Sequence, residues 1–129
     1  MREHETELRV RYDEVDAMGF VHHSNYLRYF EIGRTELLRV SGGCYRDMES
    51  AGQWVVVVHV DCKYRKPARY DDVITVRTRI HKVTIGKIVH AYEITRNDEK
   101  LVTALVTLVV IDERGNPQRI PEELLELYG

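Results

Sequence analysis

The chain has 129 residues, a length that suits one domain with a single core. Its 43% hydrophobic and 31% charged residues are typical of a globular protein and exclude a disordered or fibrous chain. The 19 basic residues nearly balance the 21 acidic ones and give a net charge of −2, so no overall field favours binding to nucleic acid or to an anionic membrane.

Three features of the sequence favour a cytoplasmic protein. The first ten residues are charged and lack the apolar core of a secretory signal. The longest apolar run, residues 101–111, is too short to cross a hydrocarbon core about 30 Å thick. Cys44 and Cys62 match no metal-ligand spacing, so we expect two buried or half-buried reduced thiols rather than a disulfide. The sequence therefore predicts no membrane span, no metal site and no cofactor.

The first two predicted elements differ in their hydrophobic period. Residues 7–12 alternate between apolar and charged side chains, which predicts a half-buried strand with Tyr12 on its apolar face. From Asn25 to about Val40 the period becomes helical, with an apolar stripe along one side. We predict Ser24 as the N-cap of this helix and the two glycines at 42–43 as its stop.

Four strands are predicted after the helix. Residues 44–53 form an ambiguous connection with a short helical turn over 45–50. Alternation then predicts strands over residues 54–64, 72–82, 88–96 and 100–112. Pro67 ends the first of these, because proline cannot donate to a ladder. A terminal helix is predicted over residues 121–128, with Pro121 at its first position.

The order of these elements predicts an α+β protein with one five-stranded antiparallel sheet and a single long helix packed on it. No repeat, linker or second domain interrupts residues 1–129, so we expect a single domain. A sheet covered by one helix leaves its other face and an edge exposed, and we therefore expect at least a dimer.

A dense group of polar residues precedes the long helix. It contains Asp16, Gly19 and the adjacent pair His22 and His23. On spacing alone, Asp16 is typical of an Asx-turn or a helix entrance, and His23 of a helix-entry histidine bonded to a backbone carbonyl. A metal held by the two histidines is disfavoured, because neighbours in sequence diverge and no further ligands complete a shell.

Two motifs resemble a known family. The first is Tyr12-x-x-x-Asp16-x-x-Gly19-x-Val21-x-His23-x-Asn25-Tyr26, followed by Tyr29-Phe30-Glu31-x-Gly33-Arg34. It closely resembles the signature of hot-dog-fold acyl-CoA thioesterases of the 4-hydroxybenzoyl-CoA thioesterase type, and in particular the small bacterial enzymes found with the Tol-Pal envelope system. The second, Tyr64-x-x-Pro67-Ala68-x-Tyr70-Asp71-Asp72, resembles the same family's join between its second and third strands. The resemblance covers nearly the whole chain.

The resemblance implies a sheet wrapped around a central helix, and homodimers or homotetramers with active sites at the subunit interface. The implied substrate is a small or medium acyl-CoA. The implied site consists of Asp16 as the catalytic carboxylate, His23 as the accompanying histidine, Tyr12 as a supporting residue, and Gly19 and Tyr26 as residues that bind substrate. Other subgroups place a catalytic glutamate on the long helix, where this chain has Glu31 and Glu36, but the intact aspartate motif favours Asp16.

Thioester cleavage fits this spacing. The first N–H groups of a helix have no internal partner and lie at its positive dipole end, so they suit an oxyanion. Gly19 permits the bend that folds Asp16 back toward them. The hypothesis is that a backbone N–H near His23 polarises the carbonyl while Asp16 attacks it or activates a water.

The basic residues offer a place for the phosphates of coenzyme A. The cluster of Lys63, Arg65, Lys66 and Arg69, together with Lys82 and Lys87, is of a kind that is most often a solvated surface. Arg65, Lys66 and Lys87 are our candidates for phosphate contacts. Two other functions compete with hydrolysis. One is a hot-dog hydratase or dehydratase, which resembles a different motif. The other is a non-catalytic subunit that binds acyl-CoA or an acyl carrier protein.

Overall fold

The computed structural model describes residues 2–129. The helices and strands, in chain order, are β1 (Glu3–Arg9), α1 (Asn25–Val40), α2 (Tyr45–Ser50), β2 (Trp54–Tyr64), β3 (Val73–Val83), β4 (Ile88–Arg96), β5 (Glu99–Ile111), β6 (Pro117–Gln118) and α3 (Glu122–Tyr128). A single 3₁₀ turn, Tyr12–Glu14, follows β1. No helix among the described residues is both long enough and apolar enough to span a membrane.

The strands form one antiparallel sheet in the order β1-β3-β4-β5-β2, with β6 paired to the end of β5. Within residues 2–129, β1 pairs only with β3 and β2 only with β5, so these two strands are the edges. The antiparallel α+β prediction is confirmed. The count of five strands omitted β6, a two-residue strand too short to show any alternation.

The longer elements agree closely with the sequence prediction. The bounds of α1, β2 and β4 are those predicted, and β3 and β5 differ by one residue at each end. The short helical turn at residues 45–50 is present as α2. Pro121 is the N-cap of α3 rather than its first residue, a one-residue difference of the size expected at helix ends.

The first strand was predicted in the wrong place. Residues 7–12 were expected to form it, but β1 ends at Arg9. Its N-terminal half is held by charge pairing across the sheet, where Glu3 lies opposite Arg79 and forms an ion pair with Arg77. The chain then turns, and Tyr12, which was expected on a buried face, is 79% exposed.

The core lies between α1 and the inner face of the sheet. Phe30 of α1 stacks on Tyr92 of β4 with ring centroids 4.5 Å apart. The helix approaches β3 so closely at Gly33 that a Cβ atom there would overlap the side chain of Thr78. This packing fixes α1 on the sheet and therefore fixes the place of its N-terminus, where the polar group around Asp16 lies.

Candidate functional site

The segment before α1 folds into a tight loop around Asp16. The Asp16 N–H donates to the Phe20 carbonyl at 2.8 Å, and the Gly19 N–H donates to the Asp16 carbonyl at 2.9 Å. Val15 and Val21 pair across the base of the loop. Gly19 has φ +81°, in the left-handed region that favours glycine, so it makes the bend predicted from the sequence.

The carboxylate of Asp16 is held by its own loop. Its Oδ1 accepts hydrogen bonds from the N–H groups of Met18 at 2.9 Å and Phe20 at 3.2 Å. Among the described residues, no group donates to Oδ2. Asp16 is thus an Asx-turn residue, as one sequence interpretation held. The turn orients the side chain and leaves one oxygen for chemistry.

Glu14 ties this loop to the start of α1. Its carbonyl accepts hydrogen bonds from the His22 N–H and from Nδ2 of Asn25, both at 2.9 Å. Its carboxylate accepts a hydrogen bond from the Tyr29 hydroxyl at 2.9 Å. Burial, together with this bond, raises the pKa of Tyr29. Sequence reasoning missed Glu14 and Asn25 as anchors, because nothing local shows which carbonyl an asparagine eleven residues away will contact.

The His23 backbone N–H is a free donor at the helix entrance. The N–H groups of Asn25 and Tyr26 donate to the carbonyls of His22 and His23, and the N–H of Ser24 donates to Nδ1 of His22 at 3.3 Å. The N–H of His23 has no acceptor within residues 2–129. Ser24 occupies the predicted N-cap position, but its hydroxyl contacts His22 Nδ1 at 2.8 Å and caps no helical N–H.

A cleft of about 390 Å³, here called the Asp16 cleft, opens beside this entrance. It is lined by Asp16, Phe20, Val21, His22, His23, Tyr26, Tyr64, Arg65, Lys66 and Pro67. The structure therefore brings together five of the predicted site residues: Asp16, His23, Tyr26, Arg65 and Lys66. They come from the loop, from α1 and from the segment that follows β2.

Aromatic rings form one wall of the Asp16 cleft. The ring centroid of Tyr64 lies 5.5 Å from that of Tyr26 and 6.3 Å from that of His23. Tyr26 is buried, and its hydroxyl oxygen accepts a hydrogen bond from the Ala68 N–H at 3.1 Å. Burial raises the pKa of Tyr26, and it raises the pKa of Tyr64 to about 12, so both phenols stay neutral near pH 7. Tyr64 was quoted in the second motif but was not predicted as a site residue.

Three predicted site residues lie outside the Asp16 cleft. The ring of Tyr12 packs edge-on against Tyr70 at 5.4 Å and lines a separate groove beside β1. Gly19 shapes the loop but does not line the cleft. Lys87 lies in the turn between β3 and β4, where its N–H donates to the Thr84 hydroxyl. By strand register this turn is about 20 Å from the Asp16 cleft, at the other end of the sheet.

The alternative carboxylates are also elsewhere. Glu31 on α1 lies 3.8 Å from Arg34, and Glu36 forms an ion pair with Arg39. Neither lines the Asp16 cleft. Among residues 2–129, no group of three or more His, Cys, Asp and Glu side chains is arranged to hold a metal ion. Cys44 and Cys62 are both free thiols. Cys62 is half-buried as expected, whereas Cys44 is exposed.

Comparison with known proteins gives the family. Residues 10–127 match the model of the thioesterase-like superfamily. A crystal structure of a hypothetical protein from Aquifex aeolicus is 35% identical, with a TM-score of 0.93 over 98% of this chain and 99% of that one. The DHNA-CoA thioesterase of Staphylococcus aureus is 30% identical, with a TM-score of 0.94 over 99% of this chain and 89% of that one.

A curated relative agrees with these structures. The acyl-CoA thioester hydrolase YbgC of Escherichia coli is 28% identical over 120 residues, which is 92% of this chain and 90% of that protein. The family match spans nearly the whole chain and includes the loop, the helix entrance and the segment after β2 that form the Asp16 cleft. This protein belongs to the thioesterase-like superfamily and has its hot-dog fold.

Proposed function

We propose that this protein hydrolyses small or medium acyl-CoA thioesters to the free acid and coenzyme A, with Asp16 as the nucleophile or general base. Its relatives are thioester hydrolases, so an enzyme of this class is the expected activity. One observation supports the residue assignment. Oδ2 of Asp16 and the backbone N–H of His23 lie at the entrance of the same helix, and neither has a hydrogen-bond partner among the described residues.

The His23 N–H supplies the electrophilic half of the mechanism. As the carbonyl carbon becomes tetrahedral, negative charge grows on its oxygen, and a fixed donor at the positive end of a helix stabilises that charge. A single donor of this kind lowers the barrier by about 3 kcal/mol. Placing this donor requires no reorganisation free energy during the reaction, because the Glu14 contacts already hold the turn that carries it.

Asp16 supplies the nucleophilic half. Its Oδ1 is occupied by two N–H groups, so Oδ2 is the oxygen that acts. It either adds to the carbonyl carbon and expels the thiolate, leaving an anhydride that water cleaves, or it takes a proton from a water that adds instead. A thiolate is a good leaving group, so neither route needs a strong general acid. The His23 ring, at the same cleft, is placed to orient the water.

Arg65 and Lys66 are proposed to receive the phosphates of coenzyme A at the mouth of the Asp16 cleft. Lys66 is already paired with Glu99 at 2.7 Å, whereas Arg65 forms no ion pair within residues 2–129. Arg65 is therefore the stronger candidate. Lys87 is too distant to act in its own chain, and Tyr12 lies in a different groove, so either would have to serve the site of a second copy.

A second copy is proposed to pair along β2. This edge strand exposes several apolar side chains, with Val57 at 45%, Val58 at 56% and Tyr64 at 50%. An exposed apolar edge of this length favours pairing with another strand. Antiparallel pairing of β2 with its own copy would set the start of the partner's β2 beside Tyr64, and so beside the Asp16 cleft. This supports a homodimer or homotetramer with its active sites at the interface.

The remaining features of the proposal follow the resemblance found in the sequence. They are membership of the 4-hydroxybenzoyl-CoA thioesterase type, kinship with the enzymes found with the Tol-Pal system, a single catalytic domain over residues 1–129, and a cytoplasmic location. The motif around Asp16 supports the first two, and the free thiols support the last.

The test is release of free thiol from a panel of acyl-CoAs by wild type, Asp16→Asn and Asp47→Asn. Asparagine keeps an Oδ1 acceptor for Met18 and Phe20, so the loop should keep its shape. We expect Asp16→Asn to lower kcat by about a thousandfold, within the range of a lost general base or nucleophile. Asp47 is an exposed carboxylate of α2 outside the Asp16 cleft, and its variant should retain wild-type turnover. Full activity in folded Asp16→Asn would refute the assignment.

A further inference from the structure

The segment between β2 and β3, residues 65–72, forms the wall of the Asp16 cleft that faces the loop. Its Lys66 and Pro67 line the cleft, and its Ala68 is linked to the loop and to α1 by the Val21 N–H and the Tyr26 hydroxyl. Apart from Ala68 and Asp72, its residues are exposed. An exposed connection of this kind is ordinarily mobile, so something other than burial must hold it in shape.

Two guanidiniums reach this segment from the sheet. Arg9 of β1 donates to the carbonyl and to Oδ1 of Asp71, both at 3.2 Å, but both side chains are more than 60% exposed, so this pair contributes little.

The second guanidinium comes from β4. Arg96, the last residue of β4, donates from Nη1 to Oδ2 of Asp72 at 2.7 Å and to the Pro67 carbonyl at 3.3 Å. Its Nη2 donates to Oε1 of Glu99 at 2.8 Å. The other carboxylate oxygen of Glu99 accepts a hydrogen bond from Nζ of Lys66 at 2.7 Å. Both ends of the segment are thereby tied to the turn between β4 and β5.

Within this network, the pair of Arg96 and Asp72 is better shielded from solvent than most ion pairs among residues 2–129. Pairs such as Arg77 with Glu3 join side chains that are nearly half exposed, and such pairs contribute little. The side chains of Arg96 and Asp72 are only 24% and 23% exposed. A planar guanidinium that spans three acceptors also fixes their relative positions, which a lysine cannot do. Asp72 further accepts the Arg69 N–H at 2.8 Å, so its carboxylate organises the segment's own turn.

We infer that Arg96 is a positioning residue for thioester hydrolysis: it holds residues 65–72 as the coenzyme-A-side wall of the Asp16 cleft and, through Glu99, sets the direction of the Lys66 amine. This role rests on the proposed function. Arg96 contacts none of the reacting atoms. The Asp16 carboxylate is held by N–H groups of its own loop and the turn that carries the His23 N–H is held by Glu14, and Arg96 contacts neither anchor. Loss of Arg96 should therefore weaken the binding of acyl-CoA more than it slows the chemical step.

The experiment measures kcat and KM for one good acyl-CoA with wild type, Arg96→Gln, Arg96→Lys and Arg77→Gln. We expect Arg96→Gln to raise KM about five- to tenfold and to change kcat less than about twofold. Arg96→Lys keeps the charge but can satisfy fewer acceptors, so its KM should lie between those of wild type and Arg96→Gln. Arg77 lies on the outer face of the sheet, away from the cleft, and Arg77→Gln should match wild type.

A second variant keeps the test decisive if Arg96→Gln misfolds. If Arg96→Gln does not fold, Asp72→Asn removes the charge opposite Arg96 while keeping the one oxygen that accepts both Arg96 and the Arg69 N–H, and it should raise KM about two- to fourfold. An active wild type with an unchanged KM in the folded variants overturns this role alone, as does a fall in kcat at constant KM. A wild type that releases no thiol from any acyl-CoA overturns the proposed function, and this role with it.

Discussion

The protein places one histidine at the entrance of α1 and another inside its core, and the two have opposite surroundings. His23 is exposed at the Asp16 cleft beside a free backbone N–H. His90 of β4 is 0% exposed, and neither of its ring nitrogens has a hydrogen-bond partner within residues 2–129. Its neighbours are the rings of Tyr92 and Tyr128, at 5.9 and 6.1 Å.

The difference shows that residue type alone does not identify a catalytic group. The pKa of the core histidine, His90, is lowered to about 3 by burial and secondarily by the charge of Arg34. Strongly shifted pKa values often mark active sites, but here the shift reports only a ring packed in the core. We place the chemistry at the exposed cleft, where polar groups have access to a substrate. Three predictions separate the two regions.

The largest effect concerns His90 and the pH dependence of stability. The pKa of His90 is lower in the folded protein than its value of about 6.5 in the unfolded chain, so below pH 6.5 the unfolded state gains a proton that the folded state does not. Stability from this group is therefore present above pH 6.5 and is lost as pH falls toward 3. The loss is about 1.4 kcal/mol per pH unit. Urea unfolding of wild type and His90→Leu at pH 7, 6 and 5 measures it.

As pH falls from 7 to 5, the free energy of unfolding of His90→Leu should rise by about 2 kcal/mol relative to that of wild type. Turnover should be unchanged. His81→Leu is the control, since His81 is exposed on β3 and its variant should track wild type at every pH. If the free energies of unfolding of wild type and His90→Leu changed equally with pH, the buried imidazole would not titrate as its burial requires.

The next effect concerns the ring of His23. Removing it in His23→Ala keeps the backbone N–H that binds the oxyanion but loses the group that orients water. We expect kcat to fall about tenfold, well short of the loss in Asp16→Asn. His81→Ala should leave kcat unchanged, because His81 lies outside the Asp16 cleft. A loss in His23→Ala as large as that in Asp16→Asn would make the imidazole, rather than the carboxylate, the principal base.

The smallest effect concerns the bend at Gly19. Gly19 and Gly115 have nearly the same φ, +81° and +85°, and a Cβ atom at either would meet no neighbour within 4 Å. Alanine should therefore cost each about 1 kcal/mol of unfolding free energy through backbone strain alone. Only Gly19→Ala should also lower kcat/KM, by about threefold, because only its loop carries Asp16. Equal kcat/KM in the two variants would show that the geometry of this loop does not affect catalysis.

Sequence patterns predicted the helices and strands that are determined by local hydrophobic periodicity. The periodicity of α1 and the alternation of β2 and β4 gave their bounds, because one buried face repeats along each. The pattern failed at β1, whose first half has few apolar residues and is held by charged partners on β3. The exposure of Tyr12 follows from the same early turn.

The candidate site divides in the same way. Asp16, His23 and Tyr26 lie within eleven residues of chain, so a local motif could place them in one cleft. Arg65 and Lys66 were chosen for their charge from a basic cluster, and no sequence pattern showed that they lie beside Asp16. The network around Arg96 joins residues up to 33 apart, and no sequence feature shows that they meet. Lys87 was chosen for its charge alone, which carries no information on distance.

The most direct test of the central claim is a crystal structure of Asp16→Asn with an acyl-CoA bound intact. The account predicts the thioester carbonyl oxygen at about 2.7–3.1 Å from the His23 nitrogen, with the amide of residue 16 facing the carbonyl carbon and the nucleotide running past Arg65. A thioester bound in another groove, or one whose carbonyl oxygen is turned away from the His23 N–H, would contradict it.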